Sequence, residues 1–330
     1  MSDSVPFAPF VSKRRTSFPP WVRVPVLALA YGIGVPVTRT LEACGQWPLL
    51  LTRIRRPPTH GGFEGYKPSE HDVIACSYFK SGTNLLLQMA VQIAARGHAR
   101  YAHIHDIVPW PEFTAPGYSI PLADETPWRN SATGLRIIKT HKLAADIPLD
   151  GPARYIAVVR DPKSVVVSSY HFAKALVFGP MMPSIVHWAE FFMHPKFAFG
   201  EWPVHVAGFW ALRTRPNVLF MTYEEMTRDP DATVWRVARF MGVDLSDEEF
   251  SSVRHLCSFG YMKQNAHQFD HIKVAPWSQQ EGATIRRGAR GASGELLSAA
   301  LQERIDDHCR SELRRLGCDF PYDAAFARDQ

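Results

Sequence analysis

The apolar positions of this chain fall into short unbroken runs, each followed by a helical stretch. Asp72-Val73-Ile74-Ala75-Cys76-Ser77 has the pattern of a strand buried on both faces. It leads through a turn into a helical run from Asn84 to Ala95. Tyr155-Ile156-Ala157-Val158-Val159 repeats the logic, and Pro162 stands where a following helix would start and continue to about Lys174. Leu135 to Thr140 and Asn217 to Thr222 predict two more short strands. The second is followed by Pro230 and an amphipathic helix carrying Val234, Val237, Ala238 and Met241. Strands alternating with helices predict an α/β fold, a mostly parallel central sheet flanked by helices on both faces.

Residues 1–69 do not share this pattern and are expected to form an N-terminal extension to a domain at 70–325. The uncharged run from Val24 to Val37 is shorter than the roughly 20 apolar residues of a spanning helix, and Pro25, Gly32, Gly34 and Pro36 interrupt it. Lys13-Arg14-Arg15 and Ala28-Leu29-Ala30 imitate a cleavable leader, a reading that Arg23 and the same prolines and glycines oppose. A second poorly charged stretch, Leu41 to Leu51, runs into Arg53, Arg55 and Arg56. Two readings stay open: residues 20–56 contact a membrane surface, or the extension packs on the core and roofs a pocket. A Pro/Gly-rich linker, Pro57 to Pro68, follows.

With 330 residues and 46% hydrophobic composition, the chain can bury a large core, which excludes disordered and fibrous classes. The net charge of +5 is too mild to demand nucleic acid and suits a protein that holds several phosphates. Five cysteines without a C-x-x-C pair suggest neither a disulfide framework nor a zinc site, and no N-x-[ST] acceptor occurs. A reduced, cytoplasmic setting with no metal is expected.

The candidate chemistry lies in the loops. Ligands of open α/β sheets sit beyond the carboxyl ends of the strands, where helix N-termini favour anions. Lys80-Ser81-Gly82-Thr83 occupies that place: Gly82 allows close backbone approach, Ser81 and Thr83 add hydroxyls, and Lys80 adds charge. Taken alone, these residues also fit a helix-capping turn. Arg286-Arg287-Gly288, in a Gly-rich loop, offers guanidinium forks and backbone donors suited to phosphate.

Tyr78-Phe79-Lys80-Ser81-Gly82-Thr83 resembles the phosphosulfate-binding, P-loop-like element of the cytosolic-type sulfotransferase family, which uses 3′-phosphoadenylyl sulfate (PAPS). Val159-Arg160-Asp161-Pro162 through Phe172 is similar to that family's 3′-phosphate segment. The likeness continues through Lys139-Thr140-His141, Gly200-Glu201-Trp202, Met221 to Met226, Ser258-Phe259 and Arg286-Arg287-Gly288, covering roughly residues 70–318. It implies sulfuryl transfer from PAPS to a hydroxyl, or less readily an amine, of a small acceptor by in-line displacement. It further implies His141 as general base, with Lys80 and Lys139 stabilising the transition state. Lys80, Ser81, Gly82, Thr83 and Asn84 would hold the phosphosulfate. Arg160, Ser168, Arg286, Arg287 and Gly288 would take the 3′-phosphate, and Tyr223, Ser258 and Phe259 the adenine side.

The departures are Leu85, where the family commonly has a tryptophan on adenine, and Gly291-Ala292-Ser293-Gly294, where the family often has G-D-W-K; the usual dimer element after it is not recognisable in Leu296 to Glu303, and the oligomeric state stays open. Ile104 to Trp128 and Phe178 to Phe199 are rich in Pro, Met, Phe and Trp and are expected to line an apolar acceptor pocket, with Trp110, Phe113, Met181, Met182, Trp188, Phe191 and Phe192 as candidates. Glu112, Asp124 and Glu125 are the reserve candidates for the base. Rival readings are a P-loop kinase, which lacks the G-x-x-x-x-G-K-[ST] spacing, and a catalytically silent nucleotide- or membrane-binding protein.

Overall fold

The computed structural model describes residues 18–47, 62–113, 117–271, 274–278, 285–286 and 292–326. Its centre is a sheet of β1 (Asp72–Ser77), β2 (Arg136–Thr140), β3 (Arg154–Val159) and β4 (Val218–Thr222), in the spatial order β2-β1-β3-β4 with every pairing parallel. The predicted strands form within a residue of their expected bounds, because each is a continuous apolar run with both faces to bury.

Alternation along β1 divides the interior. Val73 and Ala75 pack under helix α2 (Thr83–Ala94), while Ile74 and Cys76 face Ala144, Tyr155 and Phe209 on the other side. Helix α3 (Pro162–Ala173) packs with α4 (Ile185–Phe192), α5 (Trp202–Ala211) and α6 (Ala299–Arg315) in a further cluster around Trp188 and Trp202. Asp161 caps α3, its carboxylate accepting the Lys163 N–H at 2.9 Å ahead of Pro162 in the first turn.

At the amino end of the sheet, Arg136 Nε donates to Asp72 Oδ1 at 2.8 Å, with both side chains almost wholly buried. The Tyr66 hydroxyl donates to Asp72 Oδ2 at 2.6 Å and accepts from Arg136 Nη2 at 2.5 Å. This closed network ties β1 to β2 and leaves the opposite, carboxyl end open for a site.

The extension departs from expectation. Pro20–Ala43 is one helix of 24 residues, α1, long and apolar enough to cross a membrane by length and composition. The interruption is absorbed by a π turn at Ala30–Gly34, where the Val35 N–H donates to the Ala30 carbonyl ahead of Pro36. Among the described residues it meets the rest of the protein from Ala30 onward: Ala30 is buried, a side chain at Gly34 would collide with Met181 Sδ, and the Glu42 carboxylate takes the Ser184 N–H. Arg53, Arg55 and Arg56 lie outside the described residues.

Candidate active site

β1 has β2 on one side and β3 on the other, so the chain reverses its direction of winding at the carboxyl end of β1, where a crevice must open. A pocket of about 390 Å³ lies there. Every strand delivers to it: β1 runs into Lys80, β2 ends at Lys139-Thr140-His141, β3 ends at Arg160 and β4 runs into Tyr223.

The loop after β1 is tightly wound. Lys80 takes a left-handed φ of 63° and Gly82 one of 89°, which lets Gly82 cap α2 and aim that helix's free N–H groups at the pocket. A Cβ at Gly82 would lie 2.4 Å from Tyr223 Cδ2, so glycine is required by space as well as by φ. Tyr223 lies under the Arg160 guanidinium, 4.4 Å from its ring centre. The Arg160 Nη1 group donates to the Lys80 carbonyl at 3.3 Å, and Trp202 Nε1 holds the Arg160 carbonyl at 3.0 Å. Ser77 and Thr83 hydroxyls pair at 2.7 Å, closing the loop's base.

His141 lies within reach of both lysines' fields. Its Nδ1 is 2.7 Å from the Ser77 carbonyl oxygen, which can only accept, so Nδ1 carries the proton and Nε2 keeps its lone pair. The ring meets Trp110 and Phe79 edge-on, at 5.5 and 6.1 Å. Burial and the neighbouring Lys139 charge hold the imidazole pKa down to about 3, against the Ser77 hydrogen bond, which raises it. Lys139 is buried, its Nζ 3.2 Å from the centre of the Trp110 ring. Burial pulls it to about 7, opposed by the Glu112 carboxylate and reinforced by Lys80. Lys80 Nζ lies 4.5 Å over the Phe172 ring, and burial with the Arg160 and Arg286 charges brings it to about 7 as well.

Of the residues expected from the sequence, Lys80, Gly82, Thr83, Asn84, Lys139, His141, Arg160, Ser168, Tyr223, Ser258, Phe259 and Arg286 all line this one pocket. Ser81 is buried beside it, its hydroxyl without a hydrogen-bond partner among the described residues, and the same holds for the buried Arg160 Nε. Ser258 also caps the helix Phe259–Gln264, accepting the Tyr261 N–H at 3.3 Å. Arg286 Nη1 bonds Glu295 at 2.8 and 2.9 Å, and Lys263 Nζ holds the Ile285 carbonyl at 2.7 Å. Arg287 and Gly288 lie outside the described residues. Leu85 lines the pocket near Phe259, in keeping with an adenine side built without the tryptophan.

The expected apolar wall needs correction. Trp188, Phe191 and Phe192 belong to the core behind the site, because α4 turns its large residues toward α3 and α6, and Met182, just ahead of α4, is buried in the same cluster. Of the expected candidates Trp110 does line the pocket, and Phe79, Phe172 and His271 line it too. Phe172 was visible in the sequence as the last residue of the α3 motif, whereas nothing local marked His271. Of the reserve bases, Glu125 pairs with Arg129 at the surface, and Glu112 is buried against His141.

Residues 70–317 match the family model described as Sulfotransferase domain. Sulfotransferase 1A1 of Mus musculus is 31% identical over 258 residues, covering 76% of this chain and 87% of the relative. The 3-beta-hydroxysteroid sulfotransferase of Cavia porcellus is 26% identical over 273 residues, covering 78% and 86%. Among solved structures, retinol dehydratase with retinol and PAP aligns with a TM-score of 0.60 at 20% identity, over 78% of this chain and 85% of that one. Mouse sulfotransferase SULT7A1 with PAP aligns with a TM-score of 0.58 at 23% identity, over 77% and 87%. Both structural likenesses are likenesses of fold.

Proposed function

This chain belongs to the sulfotransferase domain family and is a PAPS-dependent enzyme, and we propose that it sulfates a hydroxyl group on an apolar or aromatic small molecule with His141 as the base. The observation that carries this is the His141 Nδ1 bond to the Ser77 carbonyl, which leaves Nε2 as an acceptor at the pocket. The neighbouring walls are Phe79, Trp110 and Phe172, which suit a hydrophobic acceptor. The hydroxysteroid sulfotransferase among the relatives and the retinol bound in the structural neighbour support the same class.

The residues present fit PAPS. A buried Ser81 hydroxyl and a buried Arg160 Nε lack partners among the described residues, and Gly82 keeps a cradle open that a Cβ would fill. Lys80, Ser81, Gly82, Thr83 and Asn84 would hold the phosphosulfate, and Arg160, Ser168 and Arg286 the 3′-phosphate, joined by Arg287 and Gly288. Tyr223, Ser258, Phe259 and Leu85 would bound the adenine. When bound, PAPS supplies an activated sulfuryl group with a bisphosphate nucleotide as its leaving group.

The chain's own part is to bind, orient and move one proton. His141 Nε2 takes the acceptor hydroxyl proton, and the resulting imidazolium is steadied through Nδ1 by Ser77. Lys80 and Lys139, both desolvated by burial, place positive charge where negative charge develops. Arg160, fixed from both sides by Lys80 and Trp202, sets the register of the donor. We further read residues 70–325 as the catalytic unit and residues 20–56 as a segment that contacts a membrane peripherally.

The test is transfer of radiolabelled sulfur from PAPS to a panel of phenols, sterols, alcohols and amines, with the His141→Ala variant beside it. Loss of transfer by about 100-fold or more, with 3′,5′-adenosine bisphosphate still bound, is the expected result. Transfer surviving in His141→Ala would show that another group is the base. Nucleotide binding with no transfer to any acceptor would favour the silent-binder reading.

A further inference from the structure

We infer that the N-terminal helix is a one-leaflet anchor and that the acceptor mouth faces the bilayer, so that the acceptor is a hydroxyl-bearing amphiphile dissolved in the membrane. This rests on the acceptor end lying at His141.

Among the described residues, the most exposed large apolar side chains lie on the N-terminal helix. Trp21 is 78% exposed, and Val24, Leu29, Tyr31 and Ile33 are all more than half exposed along the same helix. Of the catalytic unit's own exposed apolar residues, Val177 and Val186 flank the segment the helix docks against and Phe199 lies beside the pocket-lining Phe79, while Phe259 lines the pocket and Trp235 and Leu316 stand on other elements. Phe199 stacks on the pocket-lining Phe79 with ring centres 3.6 Å apart, and Val274 lies three residues beyond His271. A patch of this extent in water is costly, and a lipid surface covers it without a second protein.

Contacts join the helix to the pocket wall. Glu42 accepts the Ser184 N–H and lies 3.4 Å from His187 Nδ1, and Trp47 meets Phe178 edge-on at 6.4 Å. The next layer, Trp277 and Ser278, donates to the Val177 and Leu176 carbonyls at 2.8 and 2.6 Å. Those residues continue α3, which carries Phe172 into the pocket.

The length of the free part decides how the helix sits. Docking begins by Ala30, which is buried, and leaves the turns from Pro20 to Leu29, about 15 Å at 1.5 Å per residue. That falls short of a hydrocarbon core of about 30 Å, so the helix lies along one leaflet while Ala30–Ala43 stays docked.

The experiment uses the full chain with sealed vesicles of phosphatidylcholine and phosphatidylglycerol, comparing wild type with a Trp21→Glu/Leu29→Glu double variant. Wild type is expected to float with the vesicles, and an N-terminal tag to stay open to added protease. The variant should lose flotation. Its transfer to cholesterol presented in the vesicles should fall about tenfold or more, and its transfer to water-soluble 2-naphthol should stay within about twofold. A tag protected inside the vesicles would overturn the one-leaflet anchor. A wild type that does not float, or one recovered without residues 1–43 as from a cleaved leader, would overturn the anchor altogether. An unchanged rate on vesicle cholesterol would overturn the lipid acceptor. Flotation with no transfer to either acceptor would count against the sulfotransferase reading itself and leave the anchor standing.

Discussion

The Glu112 carboxylate accepts the backbone N–H of His141 at 2.5 Å, and the same Oε1 accepts the Thr140 hydroxyl at 3.1 Å. One buried side chain thus fixes the end of β2 from which the imidazole projects, while its negative charge lies close enough to favour the charged form of Lys139. Burial pushes the Glu112 carboxyl above the usual carboxylate range, and the His141 N–H draws it back. Glu112 holds the end of β2 and is spent on these two hydrogen bonds, so under the proposed mechanism it positions His141 rather than serving as the base.

Glu112→Ala should therefore lower kcat by about 10- to 100-fold while leaving bisphosphate affinity nearly unchanged. Glu112→Gln keeps an oxygen for the two donors and should recover much of kcat, but it removes the counter-charge of Lys139. Its alkaline limb should move to lower pH than in wild type. Equal loss in both variants with an unmoved pH profile would mark a merely structural role.

The pH dependence follows from the sign of each shift. Lys80 and Lys139 act while protonated, and both are held near 7 in the free enzyme. The kcat/KM for PAPS should thus fall as pH rises past about 7. Negative charge on the bound donor favours the ammonium forms, so kcat should lose activity only at higher pH. His141 acts while neutral and is held near 3, so it should contribute no acid limb in the ordinary histidine range. Steady-state profiles from about pH 5 to about pH 9 check all three statements.

Gly82→Ala meets two obstacles, the left-handed φ of 89° and the collision with Tyr223. Displacing Tyr223 also displaces Arg160 above it. Titration calorimetry should show weakened binding of 3′,5′-adenosine bisphosphate by about tenfold or more, together with a loss of about 1–3 kcal/mol in stability. Unaltered nucleotide binding would mean the loop does not hold the nucleotide as argued.

At the other end of the sheet, removing one partner of the Asp72–Arg136 pair strands a buried charge. Asp72→Asn or Arg136→Met should cost about 3–5 kcal/mol in urea unfolding. The double variant should cost less than the sum of the two single ones, since neither charge then remains alone.

Much of the fold and the donor site was legible in the sequence because the signals are local. An apolar run that must bury both faces is a strand wherever it packs, and a Lys-Ser-Gly-Thr turn between strand and helix is shaped by its own backbone. What tertiary structure decided is where side chains from distant segments meet. The tautomer of His141 depends on a carbonyl 64 residues away, and the place of Glu112 on a contact 29 residues off. His271 reaches the pocket from a loop with no motif of its own. Trp188, Phe191 and Phe192 looked like pocket residues because composition does not say which way a helix turns, and packing of α4 on α3 and α6 turned them inward. The prolines and glycines of residues 25–36 looked like breaks in the N-terminal run, and a single π turn made them part of one helix. Periodicity and local turns belong to the sequence; the direction each face points belongs to the packing, since it is settled only when the elements bury one another.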